Sequence, residues 1–266
     1  MNPIHEFEED FKKYIDSPYV VAVNSGTAAL HTALVALGIG QGDGVITTPF
    51  TFPATANAIL LAGATPVFVD ILEHNNLIDP ERIDEICKKT LHVKAVIPVH
   101  LFGRACEMET IMNQTEKWGL KVIEDASQAV GAKYFGKPLG TFGDAGTYSF
   151  YASKNLSAYQ GGMITTPHEE VYRKARMYRN HGFNDEGEME TIGMNYMMPW
   201  NCAFHAQQYL YNHKIGIEAE LGKVSEKDGY YEKLVYQHRW YQENPRLWVK
   251  MSCPVAEHAA KMVRKR

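Results

Sequence analysis

Six short β-prone runs recur along the first 151 residues, separated by longer stretches with helical apolar spacing. They are "YVVAV" (19–23), "GVITTP" (44–49), "TPVFVD" (65–70), "KAVIPVH" (94–100), "LKVIED" (120–125) and "AGTYSFY" (145–151). Between them lie "SGTAALHTALVALG", "PATANAILLAG", "DPERIDEICKKT" and "EMETIMNQTEKWG", several closed by glycine. A strand followed by a helix before the next strand returns to the starting edge, so the pattern predicts mostly parallel pairing in a wound α/β sheet with helices on both faces. Ligands of such sheets collect outside the carboxyl ends of the strands. The residues just after each run are therefore the ones that bear on function.

After about residue 165 the pattern changes. "EEVYRKARMYRNHG" reads as a helix, 182–201 as an irregular loop rich in Met, Gly and Asn, and the stretch from Cys202 as a long helical region. A last short helical pattern is "VAEHAAKMVRKR". The net charge of −4 gives no electrostatic reason to expect nucleic acid or an acidic membrane as partner. Cys87, Cys106, Cys202 and Cys253 are scattered and form no CxxC pair, which indicates neither a zinc site nor a disulfide framework and points to a reduced, cytoplasmic protein. The N-terminus is acidic and amphipathic, and the long apolar stretch "ATANAILLAGATPVFVD" is broken by Gly63 and Pro66. Neither a signal peptide nor a membrane span is expected.

Three strand ends carry possible chemistry. In "VVAVNSGTAALHTAL" a strand runs through Asn24, Ser25, Gly26 and Thr27 into a helix. The free amides and dipole of that helix start suit a phosphate, and a Ser or Thr cap explains the same residues without a ligand. In "KVIEDASQA" a strand ends in Glu124 and Asp125, where a carboxylate serves either as a cap or as partner to a cation. In "SFYASKNLSAYQGGMITT", Lys154 is either a solvated loop cation or, if desolvated, a nucleophile toward an aldehyde. An amine, a carboxylate and a phosphate cradle together are what pyridoxal 5'-phosphate (PLP) requires.

Joined in order, "NSGTAAL", "TPFTFPATANAILLAGATPVFVDI", "VIPVHLFG", "VIEDASQAVGAKYFGKPLGTFGDAGTYSFYASKNL" and "GGMITT" resemble the DegT/DnrJ/EryC1/StrS family of PLP-dependent sugar aminotransferases, over roughly residues 6–215. The resemblance implies a fold-type I aminotransferase with PLP as cofactor, a large PLP-binding domain at 1–212, and a reduced C-terminal small domain at 213–266. It also implies a homodimer with active sites at the subunit interface. Lys154 matches the lysine that carries the cofactor, Asp125 the carboxylate paired with the pyridinium nitrogen, and Gln128 a side chain near the phenolic oxygen. Phe52 matches the ring stacked on the pyridine, its other reading being core packing. Gly26, Thr27, Ala28 and Ser149 match phosphate contacts, and Asn195 an asparagine that reaches the neighbouring subunit's phosphate. His100 and His181 match positions near the active site, each with a structural role as the alternative; His31 and His205 read as packing or surface residues.

The activity so implied is transfer of an amino group, from glutamate, to a keto group of a nucleotide-linked sugar. The alternatives are a catalytically degenerate PLP-binding homologue with a regulatory or partner-subunit role, or a PLP enzyme of other chemistry on the same fold. Departures from the family pattern are Gln160 where a glutamate is usual, Met197 where an arginine is usual, a shorter N-terminal lead and a shorter C-terminal domain. The last two are expected of either a reduced homologue or an incomplete chain.

Overall fold

In the computed structural model, residues 2–89, 92–220, 233–250 and 252–263 are described, with the side chains of 213–220, Lys250 and Val263 left aside. The chain opens with α1 (Pro3–Ile15), whose first turn is capped by Asn2 Oδ1 accepting the Ile4 amide at 3.1 Å. It continues through β1 (Tyr19–Val23), α2 (Gly26–Ala36), β2 (Gly44–Thr47), α3 (Ala54–Leu61), β3 (Thr65–Phe68), α4 (Glu81–Lys89) and β4 (Val93–Val96). After α5 (Met108–Trp118) come β5 (Lys121–Asp125), a small hairpin of β6 (Lys133–Tyr134) and β7 (Lys137–Pro138), then β8 (Ala145–Ser149), β9 (Gly162–Thr166) and α6 (Glu169–Arg179). The long α7 (Trp200–Glu220) precedes α8 (Arg239–Glu243), β10 (Val249–Lys250) and α9 (Pro254–Val263).

Each of the six β-prone runs forms a strand of one sheet, in the order β1-β9-β8-β5-β4-β2-β3-β10. β9 was not read as a strand, and it departs from the parallel pattern: it runs antiparallel to both β1 and β8. Its glycine pair marks a close backbone approach. A Cβ on Gly162 would lie 2.4 Å from the Ser25 carbonyl oxygen and 2.8 Å from that of Tyr148, so only glycine lets β9 pass this close to the turn before α2. Gly161, at φ +145°, adopts a backbone that side chains rarely tolerate.

Side chains alternate across the sheet. Val21, Val23, Val45, Ile97, Ile123 and Ile164 pack with α2 and α6 on one face. Val20, Ala22, Tyr148 and Met163 pack with α1 and α7 on the other, where Phe7 and Phe11 of α1 meet Phe150 edge-on. The same alternation separates Glu124 from Asp125. Glu124 follows Val122 and is fully buried, accepting the amides of Gly140, Phe142 and Gly143 at 2.8, 2.6 and 2.9 Å and facing His100 Nε2 at 3.1 Å. Asp125 follows Ile123 to the α2 side.

A second buried pair crosses the edge of the sheet. Arg179 of α6 donates to Glu8 of α1, Glu8 accepts the Ala22 amide at 2.8 Å, and Arg179 donates to the Ala22 carbonyl at 2.6 Å. At the opposite edge β10 adds in parallel to β3. Leu234, Val235, Tyr236, Tyr241, Cys253, Ala256 and Ala260 share an apolar cluster with Ile46, Phe68 and Val96. Asp70, just beyond β3, receives the start of α9 by accepting the amides of Val255 and Ala256 at 3.0 and 2.9 Å. The expected boundary at 212/213 falls within α7, and 221–232 lie outside the described residues.

Candidate active site

A cavity of about 270 Å³ opens at the carboxyl ends of β1, β5 and β8. Seven of the nine residues singled out from the sequence line it: Gly26, Thr27, Phe52, Asp125, Gln128, Ser149 and Lys154. Its first wall is the start of α2. The Ser25 side chain caps that helix by accepting the Ala28 amide at 3.1 Å, so capping and ligand cradling share one turn. The first amides of a helix have no acceptor within it and point outward with the positive end of its dipole. A Cβ on Gly26 would come within 2.8 Å of Ser149 Cβ and 3.3 Å of Ser127 Oγ. Gly26→Ala is accordingly expected to cost about 1–3 kcal/mol of stability by overpacking this wall, read as a lower midpoint in urea. An unchanged midpoint would show that the turn relaxes.

The second wall is the end of β5. Asp125 is 4% exposed, and its carboxylate accepts the Ser127 amide through Oδ1 at 3.1 Å and the Thr55 hydroxyl through Oδ2 at 2.8 Å. The third is the turn after β8, where Lys154 is partly buried and its amide donates to the Tyr151 carbonyl at 2.9 Å. Burial lowers the Lys154 ammonium from its ordinary value, and the charge of Asp125 opposes part of that effect. Phe52 stands 55% exposed at the mouth, so core packing does not account for it. Gln128 is oriented by accepting the Phe102 amide at 3.1 Å.

Two of the nine do not line the cavity. The Ala28 amide is taken up by the Ser25 cap. Asn195 is exposed, on a segment whose backbone bridges Asn180 and whose carbonyl accepts Asn24 Nδ2 at 3.3 Å. Gln160 is exposed and Met197 bridges Val23, both away from the cavity lining. His100 is fully buried; its Nδ1 accepts the Cys106 amide at 3.1 Å, which leaves Nε2 to face Glu124. His181 is exposed at φ 55°. Neither lines the cavity. His31 is buried between the hydroxyls of Tyr196 and Tyr178, at 3.1 and 3.3 Å, and His205 is exposed beside the Tyr159 ring. Sequence reasoning missed Thr51, Thr55, Ser127, Tyr151 and Ser153 of the lining. Thr51 precedes α3 and Thr55 lies in its first turn, so no helical spacing marks the pair in the sequence.

The sequence profile of the DegT/DnrJ/EryC1/StrS aminotransferase family matches residues 2–210. The chain belongs to that family. Among curated members, the spore coat polysaccharide biosynthesis protein SpsC of Bacillus subtilis is 46% identical over 181 residues, covering 68% of this chain and 46% of SpsC. The GDP-perosamine synthase of Caulobacter vibrioides is 41% identical over 197 residues, covering 73% of this chain and 53% of the synthase. The chain thus spans about half the length of the curated DegT/DnrJ/EryC1/StrS relatives it matches. In solved structures, DesV of S. venezuelae, in complex with a ketimine intermediate, superposes with a TM-score of 0.86 at 28% identity, covering 98% of this chain and 82% of DesV. A sugar aminotransferase, Spr1654 of Streptococcus pneumoniae, described as putative, has been solved in apo, PLP and PMP forms; its PLP form gives a TM-score of 0.75 at 28% identity, covering 81% of this chain and 60% of Spr1654. DegT/DnrJ/EryC1/StrS aminotransferases depend on PLP, and the fold here is theirs, fold-type I. The cavity's donor set fits that cofactor: one amine, one buried carboxylate, and a hydroxyl-lined helix start kept open by the missing Cβ of Gly26.

Proposed function

We propose that residues 1–212 bind PLP and that the enzyme they belong to transfers an amino group, from glutamate, to a keto group of a nucleotide-linked sugar. The observation that carries this reading is that Lys154 and Asp125 face one cavity whose remaining wall is the start of α2. PLP, when bound, supplies an aldehyde that captures amines and a pyridine ring that draws electrons from the substrate carbon. Lys154, with an amine that burial makes easier to deprotonate, would be the group that holds the cofactor through that aldehyde and, when free, would serve as the base that takes and returns the proton at the substrate carbon. Asp125 would hold the ring's N–H and favour its protonated form. The Gly26 amide and the Thr27 and Ser149 hydroxyls would hold the phosphate, Ala28 supporting that turn through its bond to Ser25. Phe52 would cover the ring, and Gln128 would lie near the phenolic oxygen.

We further infer a cytoplasmic homodimer, with 213–266 as a shortened C-terminal unit. Asn195 is exposed beside the α2 turn, within a stretch that also exposes Met189, Ile192, Trp200 and Phe204, a surface suited to a second subunit. Among the described residues, those lining the cavity all lie between Ser25 and Lys154. All four cysteines are free thiols, and among the described residues no helix is long and apolar enough to cross a membrane.

Purified protein mixed with PLP should develop a visible absorbance band that borohydride removes, and L-glutamate should convert the band to one in the near ultraviolet. Protein that takes up no PLP would overturn the reading. A band that persists at high glutamate would instead support the degenerate homologue.

A further inference from the structure

The hydroxyl pair behind Asp125 has no part in the function so far. Thr51, Thr55 and Asp125 are 2%, 1% and 4% exposed. The Thr55 hydroxyl donates to Asp125 Oδ2 at 2.8 Å, and Thr51 and Thr55 Oγ1 lie 3.2 Å apart. A hydroxyl has one proton, and an ionised carboxylate only accepts, so the Thr55 proton is committed to Asp125. Thr51 must then donate to Thr55. The result is a directed chain from Thr51 through Thr55 to the carboxylate, each bond polarising the next. With Ser127 N–H on Oδ1, each carboxylate oxygen is held by one donor. The remaining lone pairs are presented to the cavity that all three side chains line.

We propose that Thr55, backed by Thr51, is a positioning residue that fixes the Asp125 carboxylate toward the cofactor's ring nitrogen and sets the strength of that contact. The inference rests on the proposed PLP site and deepens it. Phe52 lies between the two threonines at the start of α3, so the turn that supplies the hydroxyl chain also carries the ring at the cavity mouth. A side chain that keeps the β-branch and loses the hydroxyl leaves Asp125 with one donor fewer in a nearly dry site. Its contact with a ring N–H should weaken, and contacts with the phosphate should not.

The test measures PLP dissociation constants for wild type, Thr55→Val and Thr55→Ser. It repeats them with a PLP analogue whose ring nitrogen is replaced by C–H. Thr55→Val should weaken PLP about tenfold, the scale of one hydrogen bond to a charged group, while leaving affinity for the analogue unchanged; Thr55→Ser should restore PLP binding. Should Thr55→Val fail to fold, Thr51→Val, which removes the outer bond only, should weaken PLP about threefold with the same indifference in the analogue. Equal loss for PLP and analogue, no loss for PLP, or no rescue by serine would each overturn the proposal. Wild type that binds no PLP at all would sink the proposed function instead, so the two failures are told apart.

Discussion

Lys154→Ala is expected to abolish covalent attachment of PLP. Wild-type chain treated with PLP and borohydride should gain the cofactor's mass on the peptide that holds Lys154, and the variant should gain none. Loss of the base should also lower amino transfer by about 10²–10⁴-fold. Labelling of another lysine in the wild type, or equal labelling of both proteins, would reject the assignment. A second readout needs no cofactor. Burial lowers the folded-state value of Lys154 below its ordinary 10.5, with Asp125 opposing. Between the lowered value and 10.5, the unfolded chain binds more protons at this amine than the folded chain does. Stability therefore rises with pH across that window and bears the full destabilisation below it. Lys154→Ala should flatten that part of the profile in cofactor-free protein.

The second large effect is on folding. Arg179→Met should cost about 3–5 kcal/mol, because it strands a buried carboxylate without its partner. Glu8 and Arg179 are 8% and 6% exposed, and between them they hold both backbone polar groups of Ala22. The double variant Glu8→Leu/Arg179→Met should recover much of the loss, since no lone charge remains. Chemical unfolding of the three proteins decides the matter. A single variant within about 1 kcal/mol of wild type would mean that solvent reaches the pair.

Where side-chain chemistry and position coincide, the site was legible in the sequence. Lys154 and Asp125 were found because each follows an apolar run that the structure makes a strand, and because few residue types suit their roles. The split within "ED" was also available: in a strand Asp125 shares a face with Ile123, and Glu124 with Val122. The role of Glu124 was not, because its partners Gly140, Phe142 and Gly143 are backbone amides of a turn with no distinctive side chain. Thr51, Thr55, Ser127 and Ser153 were passed over for a similar reason: hydroxyl residues fill most turns, and only folding shows which of them face the cavity. β9 escaped because "GGMITT" offers a short apolar run behind two glycines, of which Gly162 is explained by the Ser25 backbone far away in sequence and Gly161 by its φ of +145°. The packing of Tyr236 and Tyr241 around Phe68 likewise depends on contacts across more than 160 residues.

The two margins of the sheet bear on how this protein behaves when concentrated. A bare outer strand offers unpaired amides and carbonyls to any passing chain and is a seed for aggregation. On one margin, the Ala22 groups of β1 are occupied by Glu8 and Arg179, and the Asn24 amide just beyond it by the Tyr196 carbonyl at 2.8 Å. On the other, β3 is sheathed by β10, which presents only two residues of its own. Among the described residues, the edges are thus guarded by the Glu8–Arg179 pair and the Tyr196–Met197 backbone on one side and by one short strand on the other, and variants that loosen any of these should precipitate before they lose their helices.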